Sequence, residues 1–206
     1  MTAGRKLAFD KDIALDAAMK VFWHKGYVGA SLSELTDAMQ INKPSLYSAF
    51  GNKEALFIQA LNKYSTQVEE TYFSLLYTEG VNLKQRITNF LTAIVNSQCD
   101  DQSPKGCFLC AGVSESANSD IPEAIKLVLD ERIQGIYNAL LDIFNTDQQA
   151  KRQGLDSNAE LHARFLSTLL HGTAGLARAG LGPEQLLPVV QQGVRSLELG
   201  DNTVNP

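Results

Sequence analysis

Three helix-start signals follow one another closely in this 206-residue chain. Ser31 and Glu34 have the spacing of a capping box, in which each side chain accepts a hydrogen bond from the other residue's backbone amide. Asn42 precedes Pro44, which is tolerated in the first turn of a helix, and Asn52 is a further N-cap. Because each start must end the helix before it, the chain is predicted to form two short helices and one long helix, at 31–40, 44–50 and about 53–79.

Apolar residues recur with helical spacing along the rest of the chain as well, and neither sustained apolar/polar alternation nor a hairpin-turn dipeptide is found. Asp10 is the expected N-cap of the first helix and Gly26 its C-terminal stop. The clearest later breaks are Pro104-Lys105-Gly106 and 145–158. These signals predict an all-α fold of about nine helices, at 11–25, 31–40, 44–50, 53–79, 82–99, 105–117, 121–146, 158–179 and 183–198.

The two short helices, joined by a tight turn, are predicted to form a helix-turn-helix unit. The apolar residues placed to close a small core with the first helix are Leu35, Met39, Ile41, Leu46 and Phe50. The residues then left on the outer face of the second helix are Lys43, Ser45, Tyr47 and Ser48. In such units the second helix presents its N-terminal residues to base edges in the major groove, while neighbouring groups hold phosphates.

Four runs of residues occur here in one order: Phe22-Trp23-His24-Lys25-Gly26-Tyr27, Ser31-Leu32-Ser33-Glu34-Leu35, Ile41-Asn42-Lys43-Pro44-Ser45-Leu46-Tyr47-Ser48-Ala49-Phe50 and Asn52-Lys53-Glu54-Ala55-Leu56-Phe57. Together they resemble the DNA-binding region of the tetracycline-repressor (TetR) family, over about a quarter of the chain. The preceding Gly4-Arg5-Lys6 resembles the basic arm of one branch of that family.

The resemblance implies a role for each matching residue. Tyr47 would place its hydroxyl on a phosphate, Lys53 would pair with a phosphate at the start of the long helix, and Ser31 would both cap its helix and touch the DNA backbone. The residues that would face the bases are Lys43, Pro44, Ser45 and Ser48, and those of the arm are Arg5 and Lys6. Ala49 stands where many members have histidine, so the operator sequence does not transfer by analogy.

The resemblance also implies the organisation of the whole protein. Residues 1–52 would be the DNA-binding domain and 53–199 a helical regulatory and dimerisation domain, while the polar composition of 200–206 predicts a disordered tail. The helices at 158–179 and 183–198 would pair with those of a second subunit, although their apolar residues could equally belong to the core of one chain. Twofold symmetry would require a palindromic double-stranded operator.

Charge neither supports nor opposes this interpretation. The chain carries a net charge of −5, with seven Lys/Arg and six Asp/Glu in residues 1–60 and eleven and seventeen in the remainder. An acidic body with a slightly basic end suits oriented docking on DNA, but the excess is small. No apolar run reaches the roughly 18 residues of a membrane-spanning helix, and the start lacks the apolar core of a secretory signal. A cytoplasmic protein that does not enter a membrane is therefore expected.

Cysteine usage gives a second hypothesis. Cys99, Cys107 and Cys110 are an odd number in a chain without an export signal, so free thiols are expected. Lys105-Gly106-Cys107-Phe108-Leu109 lies at a predicted helix start and resembles a Gly-Cys-aliphatic signature of one TetR branch, where a thiol beside lysine can have a lowered pKa. Cys107 is thus a candidate electrophile or redox sensor, and a small buried residue is the alternative. Since no second ligand pair follows, neither a metal nor a cofactor is expected.

An effector of apolar or aromatic character would bind between the central helices. The candidate pocket residues, each of which could instead belong to the core, are Phe73, Tyr77, Phe90, Ile94, Phe108, Tyr137, Leu141, Phe144 and Phe165. Two other classes of function remain as alternatives: a thiol oxidoreductase using the Cys107/Cys110 pair, and a helical protein-interaction module. Without strand–helix alternation, a phosphate loop or an HExxH motif, we expect a regulator rather than an enzyme. The effector, the operator and the direction of regulation stay open.

Overall fold

The computed structural model describes residues 9–197, and within that range every regular element is helical, which confirms the all-α prediction. Arg5, Lys6 and the predicted tail at 200–206 lie outside the described residues. The α-helices are α1 (Lys11–Gly29), α2 (Leu32–Met39), α3 (Lys43–Phe50), α4 (Lys53–Tyr72), α5 (Leu83–Gln98), α6 (Phe108–Glu115), α7 (Glu123–Ile133), α8 (Gly135–Thr146), α9 (Gln148–Arg152), α10 (Ala159–Arg178) and α11 (Pro183–Ser196).

Three predicted helices have different bounds in the structure. The long helix predicted at 53–79 ends as an α-helix at Tyr72 and continues as a tighter 3₁₀ segment, Phe73–Tyr77. The helix predicted at 121–146 is two helices, α7 and α8, because the chain turns at Gln134, and α9 lies in the predicted break at 145–158. Gly135 opens α8 beside the Phe73 ring, and helical periodicity alone does not mark such a contact. The helix predicted at 105–117 begins only at Phe108.

The end of α1 depends on a glycine. Gly26 has φ 75° and ψ 177°, so regular helical geometry stops there as predicted, although one more turn carries the chain to Gly29. A Cβ atom at position 26 would lie 1.5 Å from the Glu115 Oε1 atom at the end of α6. Both the backbone conformation and the close approach therefore require glycine.

Two apolar clusters form the interior. The first joins α1 to α3 and the beginning of α4 with α6 and α7, and its largest buried side chains include Phe22, Leu35, Leu46, Phe57 and Phe108. The second joins α5, α8, α10 and α11, with Phe90, Phe144, Leu166, Leu170 and Val190 among its members. Because α4 contributes to the first cluster and its end packs on the second, the predicted boundary at residue 52 does not coincide with a gap in the core.

Candidate nucleic-acid interface and interior cavity

The first helix of the pair, α2, has the predicted capping box. The Ser31 Oγ atom accepts from the Glu34 amide at 3.2 Å, and the Glu34 Oε2 atom accepts from the Ser31 amide at 3.0 Å. Lys25 forms an ion pair with the same carboxylate. The Lys25 ammonium, with the amide and hydroxyl of Ser31, lowers the pKa of Glu34 to about 2, so the box stays ionised near neutral pH.

The turn between α2 and α3 is held by backbone and side-chain hydrogen bonds. Gln40 adopts a left-handed conformation, φ 54° and ψ 40°, and the Ile41 amide donates back to the Thr36 carbonyl at 3.1 Å. The Asn42 Oδ1 atom then accepts from the Ser45 amide at 2.8 Å and so caps α3, with Pro44 in its first turn. The direction in which α3 leaves the turn is therefore fixed by local contacts.

One face of α3 is open to solvent. Leu46 and Phe50 are buried on its inner side, while the Tyr47 side chain is 49% exposed. The other predicted contact residues on this helix are Lys43, Pro44 and Ser48, which are exposed, and Ser45, which is half-buried. The predicted contact residues of α3 therefore share one accessible face, in which Ser45 is half-buried.

Two lysines flank that surface. Lys53 begins α4 with its Nζ atom 4.7 Å from the centroid of the Tyr27 ring, and partial burial lowers its pKa. Lys11 lies at the start of α1 with its Nζ atom 5.1 Å from the centroid of the Phe50 ring at the end of α3. Sequence reasoning selected Lys53 but missed Lys11, because only the tertiary structure places the start of α1 against the end of α3.

The end of α1 is tied to two later helices. Arg178 of α10 donates to the Trp23 carbonyl at 3.0 Å through Nη1 and to the His24 carbonyl at 3.2 Å through Nη2. The Glu115 Oε2 atom of α6 accepts from the Tyr27 amide at 2.9 Å. These contacts connect the helix-turn-helix region with the rest of the chain. The residues that form them are far apart in the sequence, so neither periodicity nor a motif predicted them.

A partly enclosed cavity of about 40 Å³ lies between α4, α5, α6, the α7–α8 turn and α10. Side chains that border it include Tyr64, Tyr72, Cys107, Cys110, Arg132 and His171. Of the predicted pocket residues, Phe73 and Ile94 also border it. A space this small accepts a few water molecules or a ligand of a few atoms, far less than the roughly 300–1,000 Å³ of typical ligand pockets.

The other predicted pocket residues lie elsewhere. Phe90, Phe108 and Phe144 are fully buried members of the two apolar clusters. The exposed Tyr77 donates its hydroxyl proton to Asp142 at 2.7 Å. Tyr137 packs under the Arg164 guanidinium, with 3.8 Å between the guanidinium carbon and the ring centroid, and Leu141 borders the same surface cleft. Phe165 is 42% exposed on α10.

Cys107 is the N-cap of α6 and lies half-buried in the cavity wall. The neighbouring Cys110 thiol, the Tyr64 hydroxyl and the amides of Cys110 and Leu109 stabilise the thiolate and outweigh desolvation, so that the pKa of Cys107 is lowered to about 7. The same interaction raises the pKa of Cys110, and burial raises that of Cys99. All three cysteines are free thiols, and no cluster of three or more metal-ligating side chains occurs within 9–197.

A separate apolar surface covers α10 and α11. Its exposed large side chains are Leu161, Phe165 and Leu176 on α10 and Val189 on α11. Gly172 and Gly175 lie on α10 with open space where a Cβ would be, so another helix can approach closely there. None of the helices within 9–197 is both long and apolar enough to cross a membrane.

Comparison with known proteins gives consistent matches. Residues 14–60 match the family described as bacterial regulatory proteins, tetR family. The HTH-type transcriptional repressor ComR of Escherichia coli (strain K12) is 31% identical over 196 residues, covering 93% of this chain and 90% of ComR. The HTH-type transcriptional repressor BdcR of the same strain is 30% identical over 183 residues, covering 89% and 86%. A cysteine mutant of the TetR family transcriptional regulator CifR, complexed with 26bp double-strand operator DNA, is 33% identical with a TM-score of 0.83, covering 93% of this chain and 99% of CifR.

Proposed function

Because this chain belongs to the TetR family of transcriptional regulators, we propose that it is a repressor that binds a palindromic operator as a homodimer and leaves it when an effector binds. Membership of the family makes the chain a regulator and not an enzyme, so the oxidoreductase alternative is set aside. The observation that supports operator binding most directly is the solvent-open face of α3 around Tyr47, held by capped local structure. Because its proposed partner is chromosomal DNA, we expect the protein to act in the cytoplasm.

Two kinds of DNA contact follow from the geometry of that face. Lys43, Pro44, Ser45 and Ser48 occupy the first half and outer side of α3, where side chains of a recognition helix meet base edges. Tyr47 lies on this face and Lys53 begins α4, at the positive end of its dipole; we assign these two residues and Ser31 to phosphates. Arg5 and Lys6, outside the described residues, belong to the proposed arm.

Dimerisation through α10 and α11 is proposed from their exposed apolar side chains. Leu161, Phe165, Leu176 and Val189 are each more than two-fifths exposed, and a second copy of the same surface would cover them. The open glycines of α10 permit a close helix crossing. A twofold pair would then present two recognition helices roughly 34–36 Å apart, one turn of DNA.

The route from effector to operator follows the contacts at the end of α1. The cavity is bordered by α6 and α10, and these helices supply Glu115 and Arg178 to the backbone of residues 23–27. A ligand that shifts either helix moves the end of α1 and with it the helix-turn-helix unit. The effector must bind the non-operator conformation more tightly, because only differential affinity changes the populations.

The test begins by sequencing the genomic fragments that the purified protein retains, and then measures affinity for that operator by fluorescence anisotropy. Tyr47→Phe should weaken binding about thirtyfold, because about 1 kcal/mol is lost from one hydrogen bond in each of the two half-sites. Lys53→Ala should reduce the slope of log affinity against log salt by about two, because one fewer phosphate is neutralised in each of the two half-sites. Lys151→Ala, an exposed cation on α9, is the matched control. Unchanged affinity in both variants would contradict the phosphate assignments, and salt-independent binding would favour a protein-interaction module.

A second candidate is a thiol-based sensor of electrophiles or oxidants at Cys107. Two observations favour this candidate. The cavity is too small for a bulky aromatic effector, and Cys107 in its wall has a pKa lowered to about 7. A reactive molecule of a few atoms fits both features. Mild oxidant should release the wild-type protein from operator DNA and leave Cys107→Ala bound. Equal release of the variant would exclude this site as the sensor.

A further inference from the structure

Cys107 and Cys110 occupy related positions at the start of α6. Cys107 is the N-cap, and Cys110 is the third residue of the helix. These are the positions at which Ser31 and Glu34 meet in the capping box of α2, because side chains at an N-cap and at N3 point toward each other. Both residues border the cavity, and the Cys110 thiol is the largest influence that lowers the pKa of Cys107.

Tyr64 of α4 completes the cluster. It borders the cavity together with Cys107, and its ring is held edge-on against Trp23, with 4.9 Å between centroids, and against Phe108, with 5.9 Å. The ring therefore has a fixed position, from which the hydroxyl can stabilise negative charge on sulfur. The free amides at the start of α6 act in the same direction.

We propose that Cys107 and Cys110 are an intramolecular redox pair, in which a small hydroperoxide oxidises Cys107 and Cys110 then closes a disulfide with it. This inference rests on the proposed thiol-sensing function and adds the identity of the resolving cysteine and the class of oxidant. A hydroperoxide of a few atoms fits a cavity of about 40 Å³.

The two steps balance. The Cys107 thiolate attacks the distal peroxide oxygen, a sulfur–oxygen bond forms as the oxygen–oxygen bond breaks, and the leaving alkoxide or hydroxide takes up a proton. The Cys110 sulfur then attacks the Cys107 sulfenic acid, and the sulfur–sulfur bond forms as water leaves with the Cys110 proton. The peroxide is reduced by two electrons, and the two thiols together are oxidised by two.

Closing this disulfide must alter the start of α6. Cys107 is the extended N-cap and not part of the helix, so a disulfide, which brings the two Cβ atoms to about 3.8 Å, fixes it against the first turn. The change is delivered to the helix whose last residue, Glu115, accepts from the Tyr27 amide. Cys99 is separate from the pair: it is buried at the end of α5, with its sulfur 3.8 Å from the Leu181 carbonyl oxygen.

The experiment exposes the full-length protein to graded hydrogen peroxide, blocks remaining thiols with iodoacetamide and locates each modification by mass spectrometry. We expect Cys107 and Cys110 to become unreactive together, with loss of two hydrogen atoms, while Cys99 stays alkylated. Cys110→Ser should instead accumulate a Cys107 sulfenic acid that dimedone traps. Tyr64→Phe should shift the pH midpoint of Cys107 alkylation upward from about 7 and slow oxidation at neutral pH.

The outcomes separate the pair from the sensor. The proposal would be overturned if Cys107 of the wild type became a sulfinic acid while Cys110 still reacted with iodoacetamide. A disulfide to Cys99, or one between subunits, would also overturn it. A disulfide that forms without changing operator affinity would leave the redox pair intact and refute thiol sensing. Peroxide-induced release that is identical in Cys110→Ser would leave sensing intact and refute the role of Cys110.

Discussion

The Nη1 atom of Arg178 lies 3.0 Å from the carbonyl oxygen of Trp23, so that the penultimate helix holds the end of the first. Its Nη2 atom donates to the next carbonyl, that of His24. The carbonyls at a helix end have no partner within the helix, and a guanidinium satisfies two of them at once. The same side chain therefore caps the carbonyls before Gly26 and couples α1 to the proposed dimerisation helix.

Arg178→Ala should loosen the helix-turn-helix region without unfolding the chain. The variant loses the hydrogen bonds to the Trp23 and His24 carbonyls, which contribute about 1 kcal/mol. The recognition helices should then sample more orientations, and operator binding should weaken about fivefold. Amides near residues 23–27 should also exchange hydrogen faster, which mass spectrometry can measure. Arg152→Ala removes an equal charge from exposed α9 and should change neither quantity. Unaltered exchange in Arg178→Ala would refute the coupling.

Gly26→Ala should be far more destabilising than an alanine at another glycine with positive φ. At position 26 the new Cβ meets the Glu115 carboxylate, so that the backbone strain is accompanied by disruption of the hydrogen bond to Tyr27. Gly80 has φ 74° with open space around it and serves as the control. In thermal or urea unfolding we expect a loss of about 1 kcal/mol for Gly80→Ala and at least about 2 kcal/mol more for Gly26→Ala. Equal losses would mean that the Glu115 contact adds nothing.

Asp147 stabilises the fold through the buried Arg86. The Arg86 Nη2 atom lies 2.6 Å from Asp147 Oδ2, and Arg86 also donates to the Leu76 carbonyl at 2.8 Å. Burial alone would raise the pKa of Asp147, but Arg86 and the amides of Ala150 and Gln149 outweigh it and the pKa is lowered. Asp147→Asn leaves a buried cation without its counter-charge and should lower the free energy of unfolding at pH 7 by about 2 kcal/mol.

That stabilisation has a defined pH dependence. Because the native pKa of Asp147 lies below that of the unfolded chain, about 3.9, the contribution is complete above the unfolded value and is lost as pH falls through the native one. The difference between wild type and Asp147→Asn in urea unfolding should therefore be constant from pH 7 to about 5 and shrink at lower pH. Asp101→Asn, at a solvent-exposed ion pair, should leave stability unchanged at every pH.

Phe165→Glu should separate the proposed dimer. The ring is 42% exposed on α10 beside Leu169 and Val189, where a charge would have to be buried if a second subunit covered it. Light scattering after size exclusion should show the monomer mass, and operator affinity should fall at least tenfold because the two half-sites are no longer bound together. Leu127→Glu changes a leucine on α7 that is more exposed than Phe165, and this variant should remain dimeric. A dimeric Phe165→Glu would exclude this interface.

The sequence predicted best those structural features that depend on contacts between residues close together in the chain. The caps at Ser31, Asn42 and Asn52 lie where they were expected, because an N-cap joins a side chain to an amide two or three residues away. The exposed face of α3 was predicted in the same way, because the helical spacing of apolar residues and the position of the N-cap together determine which side chains point inward. The helix near Cys107 was predicted from residue 105 but begins only at Phe108, where the N-cap Cys107 makes no side-chain cap hydrogen bond.

The sequence alone thus determined the helical class, the turn between α2 and α3 and the residues that α3 exposes, since each depends on contacts within about one helical turn. Only the tertiary structure decided that Phe90 and Phe108 are core, that Tyr77 and Phe165 are exposed, and that the cavity lies beside the cysteine pair. It also decided that Arg178 and Glu115 hold the end of α1. The spacing of apolar residues shows that one face of a helix is buried, but it does not show which other helix covers that face. Hydrogen bonds between residues far apart in the chain produce no regular spacing that the sequence could reveal.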